Sequence, residues 1–130
     1  MIDAKELRIA NMLLVDNEYD RVNAINSQDS YIDCDNAGRV SLYADEIEPI
    51  PLTPELLEQI GFHENGSVIN GPIYYIAPGN KGLFSIQDKK NGEYRVWWNN
   101  PDCIYAPMQN VHQLQNLFHC LTGEELAINL

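Results

Sequence analysis

Apolar residues in this chain recur mostly in short runs, many at two-residue spacing, and polar turn clusters cut each run off before it can grow into a long helix. That rhythm belongs to half-buried strands, because successive side chains of a strand point to opposite faces. In the first fifty residues the runs are Leu7 to Val15, Tyr19 to Ile25, Tyr31 to Cys34 and Val40 to Tyr43. Their breaks are Asp16-Asn17-Glu18, Asn26-Ser27-Gln28-Asp29 and Asp35-Asn36-Ala37-Gly38. Asp45-Glu46-Ile47 reads as one helical turn ahead of Glu48-Pro49-Ile50. Short strands at this spacing predict a small half-closed barrel, and a one-turn helix before the last strand is the SH3-like arrangement.

Two segments change the period. Thr53 is a good N-cap, Pro54 sits where its missing N–H costs nothing, and Glu55 faces the positive end of the helix dipole. Leu52 and Leu57 have the spacing of a hydrophobic staple, and Gly61 closes the helix. From Phe62 to Tyr105 strand patterning returns, with Tyr94, Val96 and Trp98 on one face and Arg95 and Trp97 on the other. From Gln109 to Leu121, Val111, Leu114, Leu117, Phe118 and Leu121 form an apolar stripe at helical spacing. Beyond it, Thr122-Gly123-Glu124-Glu125 either ends this helix at Gly123 or starts another turn with a Thr122–Glu125 capping box.

The predicted class is α+β. An SH3-like β-barrel lobe covers residues 1–51; a linking helix, an antiparallel meander and a packing C-terminal helix cover 52–130. Whether the lobes pack as one unit stays open at this level. A chain of 130 residues suffices for a core without metal or disulfide support.

The formal charge is −11, and residues 1–60 hold 13 acids against 4 bases, a net of −9. Such a surface repels phosphate backbones, so general nucleic-acid binding is disfavoured and a basic partner is favoured. No apolar run approaches a membrane span and no secretory leader pattern is visible. Cys34, Cys103 and Cys120 are odd in number and in no C-x-x-C spacing, which reads as three buried, reduced thiols in a cytoplasm.

The residues offer few chemical constellations. His112 and His119 lie about 20° apart around the last helix but ~10.5 Å apart along it, too far to share a metal. With Gln115 and Asn116 they predict a polar ridge beside the apolar stripe, a candidate contact face for a partner protein or small ligand. Lys89, Lys90, Arg95 and Trp97 offer an alternative, a basic rim with an aromatic face for single-stranded nucleic acid. Asp16 to Asp20 and Asp33 to Gly38 resemble calcium loops, but Arg21 replaces the glycine of the first, and Ala37 and Ala44 replace ligands of the second. Cys120 and His119 are helix neighbours and do not face each other. An enzyme assembled from His63, His112, Cys34 and Cys103 would need the fold to join them. No catalytic residue, metal or cofactor is expected.

Glu6-Leu7-Arg8-Ile9-Ala10-Asn11, Ile47 through Leu57, and Val111-His112-Gln113-Leu114-Gln115-Asn116-Leu117 with Leu121-Thr122-Gly123-Glu124-Glu125-Leu126 resemble a family of small uncharacterised proteins of gut Bacteroidales genomes and their phages. That family usually has glycine where this chain has Ala10, a departure that bears on whether a tight turn forms there. The resemblance implies a mobile-element origin, a bacterial cytoplasm and an accessory role, and it carries over no catalytic residue. The expected function is a non-enzymatic protein-binding module.

Overall fold

The computed structural model describes residues 7–43, 46–64, 73–76, 84–89, 93–98, 103–126 and 128, of which 63–64, 73–76, 84, 97–98 and 103–107 are described by backbone only. The chain is α+β. Strands β1 (Met12–Val15), β2 (Glu18–Asn26), β3 (Tyr31–Cys34), β4 (Gly38–Ser41) and β5 (Ile47–Glu48) come first, then helix α1 (Pro54–Ile60). Strands β6 (Phe62–Glu64), β7 (Ile73–Ile76), β8 (Phe84–Asp88), β9 (Tyr94–Trp98) and β10 (Cys103–Met108) lead to helix α2 (Val111–Thr122).

The first sheet is antiparallel, in the order β4-β3-β2-β1-β5, and curls into a half-barrel. Its curl comes from β2, whose first half pairs with β1 and whose second half pairs with β3, across a bulge between Val22 and Ala24. Asp16 and Asn17 make the two-residue β1–β2 turn with φ of 54° and 66°, both in the left-handed region such hairpins need. The predicted helical turn is corrected at Ile47, which is strand; residues 44–45 lie outside the described residues. Tertiary pairing decides this, because Ile47 meets Val15 in register and enters the barrel core.

Helix α1 is built as its sequence predicts. Thr53 Oγ1 accepts the Leu56 N–H at 3.1 Å, and Gly61 ends the helix at φ 120° while donating to the Leu57 and Glu58 carbonyls. The second sheet is a plain meander, β10-β9-β8-β7-β6. Its β9–β10 register slips between Ile104 and Met108, where Pro107 has no N–H to pair. Tyr94 Oη donates to the Leu52 carbonyl at 3.2 Å and ties β9 to the segment before α1. That segment also pairs with the entry to α2, through Leu52 N–H to Gln109 C=O and Val111 N–H to Ile50 C=O, both 2.8 Å.

Two cores result, and β1 serves both. Leu13 and Val15 enter the barrel core with Val22, Ile32, Cys34 and Ile47. Met12 and Leu14 face the other way, onto a core containing Ile50, Leu57, Val96, Leu114 and Phe118. The uninterrupted run Met12-Leu13-Leu14-Val15 is thus a strand covered on both faces.

Candidate functional site

The polar ridge of α2, a candidate contact face in the sequence, is turned inward at His112 and Gln115 and keeps partial exposure at Asn116 and His119. His112 and Gln115 are each 2% exposed, and Asn116 and His119 are half-buried. The reason lies at β1. Strand β5 pairs with Leu14 and Val15, and among the described residues no strand pairs with residues 10–12 on that side. Gln115 fills the gap: its Oε1 accepts the Met12 N–H at 2.8 Å, and its Nε2 donates to the Ala10 carbonyl at 3.0 Å. One side-chain amide therefore does the work of a peptide group on a neighbouring strand.

Around it, Asn116 Oδ1 accepts from Asn11 Nδ2 at 2.8 Å and from Arg8 Nε at 3.1 Å. Arg8 also donates to the Gln115 carbonyl at 3.3 Å and pairs with the Glu125 carboxylate, whose Oε1 lies 3.9 Å from His119 Nε2. Gly123, at φ 75°, ends α2, so Glu125 serves Arg8 and not a new capping box. Helix α2 starts instead on Gln113, whose Oε1 accepts the N–H groups of Gln109 and Asn110. Ala10 makes the tight turn at φ 83° without glycine. The seam thus joins Arg8–Asn11 to Gln115, Asn116 and Glu125, and it is occupied by the chain's own groups.

Of the alternative basic face, Lys90 and the Trp97 side chain lie outside what is described. Arg95 is half-buried and stands in register with Gln87, which is 5% exposed, so that end of the face is covered. Cys34 is enclosed in the barrel core, where burial, then the charges of Asp20, Asp33 and Asp35, push its thiol up to about 11. Cys120 is exposed near the end of α2, which corrects the expectation that all three thiols are buried. No group of three or more His, Cys, Asp or Glu that could hold a metal occurs among the described residues. No described helix is long and apolar enough to cross a membrane.

An open cleft of about 240 Å³ lies beside β2 and the β3–β4 turn. Met12 and Ile128 line its base, Tyr19 and Arg21 of β2 one wall, and Asp35 and Asn36 of the β3–β4 turn the other. Both walls are fixed from behind. Asp20, 5% exposed, accepts the backbone N–H groups of Arg21 (2.8 Å), Asn36 (3.0 Å) and Ala37 (2.8 Å), pinning the turn to β2. Arg21 Nη2 donates to the Ile128 carbonyl at 2.7 Å and holds the segment after α2 in place. In the sequence Asp16–Asp20 and Asp33–Gly38 stand out only as incomplete calcium loops. The available signal was Asp20 standing two residues before inward-facing Val22, on a strand that alternates. Compared with protein-family models, curated proteins and solved structures, the chain finds no match.

Proposed function

We propose that this chain is a non-enzymatic binding module whose contact surface is the acidic half-barrel. The observation that carries the reading is the preformed cleft, walled by a Tyr19 side chain that is 43% exposed and braced by Asp20 and Arg21. A site braced before its ligand arrives loses less freedom on binding. Ile9 at 57% and Tyr43 at 69% exposure put further large apolar side chains on the same lobe.

The strand order β4-β3-β2-β1-β5, in which the last short strand returns to pair with the first, supports an SH3-like barrel, a scaffold suited to protein contacts. The excess of acid in residues 1–60 favours a basic protein over nucleic acid. A cytoplasmic accessory role in a mobile element is part of this proposal, and the resemblance of the three quoted stretches supports it. The seam residues His112, Gln115, Asn116 and His119 hold the lobes together in this reading.

Site-specific photo-crosslinking tests it. A benzophenone side chain at Tyr19 or Tyr43 is expected to capture a discrete protein in the native cytoplasm, whereas one at Glu55 or Gln59 on α1 captures none. No adduct from any barrel position counts against the reading.

A further inference from the structure

Resting on that binding-module reading, we propose that the cleft receives an arginine side chain of a partner protein, its guanidinium lying between the ring of Tyr19 and the carboxylate of Asp35. The charges of the lining are not equally available. Both oxygens of Asp20 are taken up by backbone N–H groups, and Arg21 is turned onto the Ile128 carbonyl. Asp35 is exposed, and its Oδ1 accepts a hydrogen bond from Asn23 Nδ2 at 3.0 Å. Of the two carboxylates in the lining, it is the exposed one.

Three properties of the occupant follow. It is cationic, because the lining carries two acids to one base and the surrounding lobe is strongly negative. It is planar, because the same lining includes the aromatic residue Tyr19, 43% exposed, and a guanidinium is held over such a ring by cation–π attraction. It donates several hydrogen bonds in a fork, which suits Asp35 and the Asn36 side chain better than the compact ammonium of lysine. Tyr31 shows the same pairing within the chain, with the Arg39 guanidinium carbon 4.0 Å from its ring centroid.

Titration of the full ¹⁵N-labelled chain with N-acetyl-arginine N-methylamide tests the inference, with the neutral isostere N-acetyl-citrulline N-methylamide as comparator. The expected result is a saturable shift centred on the amides of Tyr19, Arg21 and Asn36, which the citrulline amide does not produce. Asp35→Asn keeps the acceptor for Asn23 and weakens the arginine amide about tenfold. Tyr19→Leu weakens it several-fold, while Glu58→Gln on α1, with the same change in net charge, leaves affinity within about twofold. Shifts scattered over the acidic surface, equal effects of Asp35→Asn and Glu58→Gln, or no saturable shift would overturn it. Were that the outcome while crosslinks from the barrel persist, the arginine site would fall and the module reading would stand. Loss of the crosslinks as well would remove both.

Discussion

Gln115 accepts the backbone N–H of Met12 from 103 residues away in sequence, at 2.8 Å, and extends the edge of β1 that β5 pairs at Leu14 and Val15. Because Met12 and Leu14 pack on the second core while Leu13 and Val15 pack on the first, this bond sits where the two cores share a strand. A side-chain amide placed there satisfies the buried Met12 N–H and the half-buried Ala10 carbonyl at once, and a fully buried group would cost about 1–3 kcal/mol if left unmet. Gln115, on the polar ridge of α2, is therefore part of the fold.

Ala10 sits in left-handed backbone space at φ 83°, where a Cβ is strained. Ala10→Gly is expected to stabilise the protein by about 0.5–1 kcal/mol, the relief of strain exceeding the added chain entropy of glycine. Thermal unfolding followed by circular dichroism should show Tm rising by about 2–4 °C. A fall in Tm would mean that the turn is not strained.

Asp20 is the brace of the cleft. In Asp20→Asn the new amide N–H₂ must face one of the N–H groups the carboxylate now accepts, and the charge assistance of the others is lost. The expected cost is about 2–4 kcal/mol, read from the urea midpoint at unchanged slope. The amides of Asn36 and Ala37 should lose hydrogen-exchange protection first.

Cys34 makes a prediction with a definite sign. Its thiol is raised from 9.0 unfolded to about 11 folded, so above pH 9 the unfolded chain releases a proton that the folded chain keeps. Stability from this group is fully present below pH 9, falls as pH rises from 9 to about 11, and levels off beyond. Cys34→Ala should flatten that part of the alkaline limb, measured by urea unfolding across the same range. In the native protein at pH 8, peptide-mapped alkylation should mark exposed Cys120 well ahead of Cys34.

Local chemistry was readable from the residues alone. Thr53, Pro54 and Gly61 specify the ends of α1 through contacts within a few positions, and the alternating runs specify the strands and the meander. What the sequence hid depends on distant pairings. Gln115 and Asn116 beside an apolar stripe look like a solvated flank, and only the unpaired edge of β1 turns them inward. Ile47 has the local pattern of a helical turn until Val15 claims it as a strand partner. The cleft was invisible for a similar reason, since its walls come from β2, a turn and the segment after α2.

Native-state hydrogen exchange on Gln115→Leu tests the central claim, that one strand and one helix residue weld the lobes into a unit. The account predicts that Met12–Val15 in β1 and Leu114–Phe118 in α2 lose protection together, by a common ~2–4 kcal/mol from two unmet backbone groups. Protection lost in α2 alone, with β1 as stable as before, would contradict it.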